Sequence, residues 1–270
     1  PPRSTLFPYT TLFRSRIRSQ PGPGLLLTGY DTPNSRALQT ALPRGCRAQT
    51  FGLQEGANYR AEDPHSNPLG GVSFRLTHNG KTLLEEVQLQ IPGLHNASNA
   101  CAALAALCEL GLTEAQRTQA AQAASQFKGA GRRFDVLGQA GGITIINDYA
   151  HHPTEIRTTL AAARSRYPQG RIWALWQPHT YSRTQTLLDD FCDAFNQADQ
   201  VIITPIYAAR EQASNFTTEN ILARFYSRCH VAAPQSWAKA GHNAEEITAA
   251  LVAELRPGDV LLVLSAGDAD

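Results

Sequence analysis

The spacing of apolar and polar positions changes twice along this chain. From about Gly24, Leu25-Leu26-Leu27 reads as a short buried strand, and Asp31-Thr32-Pro33-Asn34 as a turn into a helix with Thr32 as N-cap and Pro33 at its first position. A strand over Ala48–Gly52 follows. Tyr59–Glu62, Val72–Thr77 and Leu83–Leu89 then read as further strands, and Asn79-Gly80 predicts a hairpin turn between the last two. This stretch reads as antiparallel material appended to an α/β start. After Ile91-Pro92-Gly93 the spacing becomes helical. Asn99–Leu110 is alanine-rich with Leu104, Leu107 and Leu110 on one face, and Gly111 stops it. Thr113 with Gln116 predicts a capping box for a second helix to about Phe127.

Lys128-Gly129-Ala130-Gly131 marks a boundary between domains at 16–131 and 132–270. Beyond it strands and helices alternate. The strands are expected at Phe134–Leu137, Ile143–Ile146, Ile172–Trp176, Gln200–Thr204 and Val260–Leu264. The helices are expected at Thr154–Arg166, Thr184–Gln197, Thr218–Phe225 and Ala244–Leu255. Such alternation predicts an α/β fold with a Rossmann-like, doubly wound, mostly parallel sheet. Before it stands a partial α/β domain with an antiparallel strand extension.

Composition narrows the function classes. The 270 residues carry a formal net charge of +1, so nothing marks a binder of nucleic acid. No apolar run approaches the length of about 18 residues that would suggest a membrane span. The five cysteines are scattered without a C-x-x-C pair, which argues against a disulfide framework or a zinc site and for a reducing, cytoplasmic setting. The sequence contains no methionine, as a piece of a longer chain would. Pro1–Ser15 lacks the layout of a signal peptide and resembles the conceptual translation of sequencing-adaptor DNA, so it is left out of the fold.

The chemistry concentrates where strands end. Asp148-Tyr149-Ala150-His151-His152-Pro153-Thr154-Glu155 follows a strand and opens a helix, and in open α/β sheets ligands bind at the carboxyl ends of strands. Asp148 can accept hydrogen bonds from sugar hydroxyls, and Tyr149 can stack on a ligand. His151 and His152 can bind an anion or act as bases. Glu155, one turn on, can orient His151, and all of this is also compatible with a capped helix start. A metal site of His151, His152 and Glu155 is disfavoured, because adjacent histidines point to different sides. Gln177-Pro178-His179-Thr180-Tyr181-Ser182-Arg183-Thr184 also follows a strand, and its imidazole, phenol and guanidinium suit a small zwitterion or carboxylate. Asn96 and Asn99, beside His95, can read an adenine edge or merely cap a helix. Arg132-Arg133 can reach a phosphate, and Ser265-Ala266-Gly267-Asp268 is either an anion pocket or a turn. No G-x-x-x-x-G-K-[ST] phosphate loop occurs.

The strings GLHNASNACAALAAL, FKGAGRRFD, NDYAHHPTEI, WQPHTYSRT, TPIYAAREQ and LSAGDAD, in this order, resemble the Mur ligase family from about residue 24 to the end. Within it they are most similar to the branch that joins L-alanine to UDP-N-acetylmuramate. The branch that recycles murein tripeptide is the nearest competitor and is expected to replace Gln177-Pro178-His179. The resemblance implies ATP-dependent amide formation through an acyl phosphate, with Mg2+, in the bacterial cytoplasm during peptidoglycan synthesis. It implies adenine contacts from Asn96 and Asn99 with His95 beside them, Arg133 near the ATP phosphates, and Asp148 near the ribose. It implies an amino-acid pocket walled by Tyr149, His151, His179 and Arg183, with His152 behind them; Arg133 and His151 are then the catalytic candidates. Thr180 stands where many members have arginine, which leaves the substrate carboxylate mainly to Arg183. The family's UDP-sugar domain, phosphate loop and metal ligands are expected upstream, so this chain alone is expected to be inactive. Outside the family the alternatives are a non-catalytic amino-acid or nucleotide binding module and a metal-dependent hydrolase.

Overall fold

The computed structural model describes residues 24–42, 45–212, 214–228 and 234–267. The adaptor-like segment, Cys229 and Asp268 lie outside the described residues. Two compact units are present. The first comprises the described residues up to His65, with Ser73–Leu89 and Asn96–Gln126; the second comprises Ser66–Val72, Gln90–His95 and the described residues from Phe127 onward.

The first unit holds β1 (Leu25–Gly29), α1 (Pro33–Ala37), β2 (Arg47–Gly52), β3 (Tyr59–Ser66), β4 (Val72–His78) and β5 (Lys81–Gln88), the strands forming one sheet in that order. Thr32 caps α1 with Pro33 at its start, as the sequence predicts. Asn79 and Gly80 both take positive φ (50° and 79°), the conformation of a two-residue type I′ hairpin turn, and close the antiparallel β4–β5 pair. Two expectations are corrected. β1 is an edge strand with Leu25 38% exposed, so its apolar run is not a buried strand. β3 pairs with β2 in parallel, Phe51 opposite Tyr59, because the loop between them is tied back by Leu53 and Gln54 N–H donation to Asp31.

Helix α2 (Leu94–Glu109) begins five residues earlier than the alanine-rich pattern suggests, directly after Gly93 at φ 99°. Its buried stripe is Ala97, Cys101, Leu104 and Ala105, at helical spacing, and burial pushes the Cys101 thiol up to about 12. Leu107 and Leu110 therefore lie off the core face, with Leu110 79% exposed. Helix α3 (Glu114–Ser125) starts on the capping box of Thr113 and Gln116.

The second unit is built on a six-stranded sheet. Its strands are β6 (Asp135–Ala140), β7 (Ile143–Asp148), β8 (Ile172–Trp176), β9 (Gln200–Ile203), β10 (Ala238–Ala240) and β11 (Val260–Leu264), in spatial order β10-β9-β8-β11-β7-β6. All neighbours are parallel except the β6–β7 hairpin. Every residue of β8 and β11 is buried, as a sheet covered on both faces requires. One face packs α4 (Pro153–Arg166), α6 (Leu188–Cys192) and α7 (Thr218–Arg228) around Leu160, Trp176, Phe191, Phe195 and Phe225, and the short α5 (Tyr181–Thr186) links β8 to α6. The other packs α9 (Ala244–Glu254), through Ile247 and Leu251, on Trp173, Ile202 and Leu261; α8 (Pro234–Trp237) precedes β10.

The single helix expected over Thr184–Gln197 is divided into α5, α6 and a 3-10 turn at Asp193–Phe195. The break falls at Leu187 (φ −109°, ψ 19°), where Leu187 and Leu188 both turn onto the core and Asp189 is held by Arg224 at 2.7 Å. Strand register levels the sheet's carboxyl edge: Leu264 lies beside both Asp148 and Trp176, and Trp176 beside Ile203. The loops after β7, β8, β9 and β11 therefore emerge together, where β11 inserts between β7 and β8 and the strand order reverses.

Candidate functional site

The loop after β7 is organised by a buried carboxylate. Asp148, 5% exposed, accepts hydrogen bonds from Phe134 N (2.9 Å) and Thr159 Oγ1 (3.1 Å) on one oxygen and from Ala150 N (2.9 Å) on the other. Desolvation pushes its pKa above the usual carboxylate range, although these bonds and Arg133 pull the other way. It pins the Arg132–Phe134 segment, in which Arg132 and Phe134 both hold positive φ (57° and 49°). That pinning brings both guanidinium groups over the Tyr149 ring, at 5.2 Å for Arg132 and 5.6 Å for Arg133. The Asp148 carboxylate, for which the resemblance implies a place near the ribose, is buried with three acceptor positions in use.

Glu155 ties the histidines to the helix start. It accepts from His151 N at 3.1 Å and His152 N at 3.2 Å, lies 3.6 Å from His151 Nδ1, and is approached by Arg133 at 3.6 Å. Partial burial raises its pKa, but the His151 N–H bond and the charges of His151 and Arg133 outweigh that and hold it below the ordinary value. His151 Nδ1 is 2.8 Å from the Tyr149 carbonyl oxygen, which can only accept. Nδ1 therefore carries a proton, and Nε2 is the ring nitrogen left to a ligand. His152 is the N-cap of α4, its Nδ1 accepting from Thr154 N at 3.3 Å, so this exposed residue serves the helix start. His151, His152 and Glu155 make no metal-holding group among the described residues.

The loop after β8 supplies the second wall. His179 and His151 are tilted rings 5.6 Å apart. Arg183 donates to His179 Nδ1 at 3.3 Å, and since a guanidinium only donates, that nitrogen carries the lone pair. Desolvation, the Arg183 charge and His151 together lower the His179 pKa and keep the ring neutral. Among the described residues Arg183 has no carboxylate partner within ion-pair distance, unlike Arg164, Arg171, Arg224 and Arg228. The result is a cation without a carboxylate partner among the described residues, beside the imidazoles of His179 and His151, which complements the carboxylate and amine of an amino acid.

Two residues that sequence reasoning missed come from the loop after β9. The Tyr207 ring lies tilted against His179 at 5.7 Å, and its strand-like bridge fixes Thr180 (N–H to Tyr207 O, 2.9 Å). Glu211 accepts from Ser182 N at 3.0 Å and from the Ser182 hydroxyl. The string TPIYAAREQ was the available signal, but no single residue type in it announces a site. The loop after β11 closes the group. Buried Ser265 donates to Gln177 Oε1 (2.9 Å) and accepts from Gly267 N (3.0 Å), while Arg132 donates to Ser265 O (3.1 Å). A side chain at Gly267 would strike Gln177 and Tyr207, so this turn must be glycine.

His95 belongs to the same unit, its ring folded over Gly93, where any side chain would strike it. Its surface stays open, yet the neighbouring atoms partly desolvate the ring and, with the Arg133 charge, push its pKa down. Asn96 and Asn99 lie in the first unit, inside helix α2 and not at its cap, with Asn99 exposed.

Comparison with known proteins brings these parts together. The family model "Mur ligase, glutamate ligase domain" matches residues 132–267, and "Mur ligase middle domain" matches 12–107. A UDP-N-acetylmuramate–L-alanine ligase of Roseiflexus sp. (strain RS-1) is 48% identical, the match covering 96% of this chain and 56% of that protein. The protein of the same name from Alkaliphilus metalliredigens (strain QYMF) is 38% identical over 95% of this chain and 53% of its own. The crystal structure of UDP-N-acetylmuramate-alanine ligase from Thermotoga maritima matches with a TM-score of 0.72 and 26% identity, covering 96% of this chain and 51% of that one. A murein peptide ligase of Psychrobacter arcticus shares the fold, with a TM-score of 0.61 and 22% identity. The chain spans about half the length of the curated relatives it matches.

Proposed function

The chain belongs to the Mur ligase family, and on that premise we propose that it carries the amino-acid site of an ATP-driven ligase that joins L-alanine to UDP-N-acetylmuramate in bacterial peptidoglycan synthesis. The observation that carries this reading is Arg183, a cation without a carboxylate partner among the described residues, next to the rings of His179 and His151. In this scheme an oxygen of the muramate carboxylate attacks the γ-phosphorus of ATP, and ADP leaves. The neutral amine of alanine attacks the resulting acyl phosphate at carbon, loses a proton, and inorganic phosphate departs. Arg183 takes the alanine carboxylate, and His151 Nε2 is the lone pair that orients the amine and receives its proton.

Arg133 faces the charge that develops on the transferred phosphoryl group, a demand that fixed cations meet well in a site shielded from water. His95, Asn96 and Asn99 are assigned to adenine. Asp148 acts through the Arg132–Phe134 segment that it pins, a role its burial supports better than direct contact with ribose. The described residues include no cluster of His, Cys, Asp and Glu suited to Mg2+.

The test is titration of the chain with L-alanine, followed by the imidazole resonances of His151 and His179 and the Arg183 guanidinium. Saturable shifts at all three, absent with D-alanine, are expected. Shifts confined to other parts of the chain would remove the pocket from this edge of the sheet.

A further inference from the structure

The loop after β9 bears a carboxylate that the scheme above leaves unused. Glu211 accepts from Ser182 N through Oε2 (3.0 Å), from the Ser182 hydroxyl through Oε1, and from the Thr180 side chain. These bonds, the Ser182 hydroxyl first, hold its pKa below the usual range, so the group is a carboxylate at neutral pH. All of its partners lie in the turn that opens α5, immediately before Arg183.

That turn is strained. Thr180 sits at φ 64°, ψ 144°, a region that β-branched residues scarcely populate and that persists only where surroundings over-determine it. Two sets of bonds from the β9 loop do so. The first is the backbone bridge, with Thr180 N to Tyr207 O at 2.9 Å and Tyr207 N to Pro178 O at 2.8 Å. The second is the Glu211 clamp. With Thr180 so held, its Oγ1 receives Arg183 N (3.4 Å), its carbonyl receives the Thr184 hydroxyl (2.7 Å), and the Arg183 guanidinium meets His179. Both Glu211 oxygens are engaged by Ser182, so the clamp orders Arg183 through the backbone and leaves the guanidinium charge available.

We infer that Glu211 is a positioning residue for amino-acid binding: from the loop after β9 it locks the strained Thr180–Ser182 turn and so aims Arg183 at the carboxylate of the incoming amino acid. This rests on the reading that Arg183 receives that carboxylate. The bridge through Tyr207 alone fixes the turn's entry but not its exit, because it ends at Thr180. Without Glu211 the first turn of α5 is free to leave the strained conformation, and the guanidinium leaves His179 with it.

The experiment compares the 270-residue chain with its Glu211→Gln and Glu211→Ala variants in three measurements: L-alanine affinity by titration, amide exchange by NMR, and the thermal midpoint. Glu211→Ala is expected to weaken alanine binding about tenfold and to speed exchange at Ser182 and Arg183. Exchange at Leu262, in the middle of β11, and the thermal midpoint should stay as they were. Glu211→Gln, which keeps one acceptor oxygen, should fall between. Unchanged alanine affinity with unchanged exchange at Ser182 and Arg183 overturns the proposal, as does a lowered midpoint with intact alanine affinity. If the parent chain itself gives no response to alanine, the pocket reading fails. The clamp is then decided by exchange alone: faster exchange at Ser182 and Arg183 in Glu211→Ala upholds it, and unchanged exchange overturns it.

Discussion

Arg183 and Asp148 show how the same strand-end position can serve a ligand or the fold. Arg183 is half-buried, bonded only to a neutral ring, and keeps its charge uncompensated within the described residues. Hydrogen bonds to a charged group are worth roughly 1.5–3 kcal/mol. Arg183→Ala in the length-complete enzyme should therefore raise the KM for alanine by about 10- to 100-fold and leave the KM for ATP near its starting value. Equal rises in both would remove Arg183 from the pocket. Asp148 is the opposite case, with its carboxylate spent on Phe134, Ala150 and Thr159. Asn in its place keeps one acceptor oxygen but turns an NH2 toward a backbone N–H. Asp148→Asn should cost about 1–3 kcal/mol, the penalty of leaving a buried donor unmade. The pH dependence follows from the raised pKa. A carboxyl that holds its proton more tightly when folded contributes most below its unfolded value, taken as 3.8, and loses that contribution as pH rises through the folded value. The stability difference between the two proteins should thus shrink as pH rises from below 3.8 across that window. Urea titrations at a series of pH values measure it, and a difference that grows with pH contradicts the assignment.

At the level of elements, the turn into α5 sets two local terms against each other. Thr180 caps the helix but occupies a conformation that suits glycine. Backbone strain of this kind costs about 1–3 kcal/mol, whereas exchanging a threonine cap for glycine loses only a few tenths. Thr180→Gly is therefore expected to stabilise the chain by about 1 kcal/mol while weakening alanine binding, because the strain is coupled to where Arg183 points. Loss of stability in chemical denaturation would show that the turn is relaxed as it stands. The same turn shows what a sequence can and cannot disclose. β8, β11 and the caps at Thr32 and Thr113 were legible because continuous apolar runs and capping residues act over a few positions. The division of Thr184–Gln197 was not, since no proline or glycine marks Leu187 and the break answers to packing and to Arg224. Leu25, Leu107 and Leu110 misled because an apolar side chain does not state which neighbour covers it. The cap made by His152 was not legible, because a capping imidazole and a ligand-binding one look alike until Thr154 N is seen to point at it. Tyr207 and Glu211 were invisible for the complementary reason: they act through long-range partners, His179 and Ser182.

For the molecule as a whole, chemistry and sequence length set different expectations. The second unit gathers four strand-end loops, two imidazoles and a guanidinium without a carboxylate partner among the described residues, an arrangement whose chemistry suits an amino acid. Activation of a carboxylate by ATP needs more: a cradle for the β- and γ-phosphates and a fixed cation at the transferred group. No G-x-x-x-x-G-K-[ST] loop occurs in the 270 residues, and they span about half the length of their curated relatives. Binding of alanine and turnover should therefore separate. The chain alone should respond to L-alanine yet release no phosphate above background when given ATP, Mg2+, UDP-N-acetylmuramate and L-alanine together. Orienting the amine cannot substitute for making the acyl phosphate, because without that intermediate the amine meets a carboxylate whose leaving group would be oxide. Supplying the acyl phosphate step is worth many orders of magnitude, and a well-placed general base only about 10²–10⁴. A coupled phosphate-release assay on the purified chain decides the matter: clear, alanine-dependent turnover would mean that these 270 residues hold a phosphate cradle of another kind.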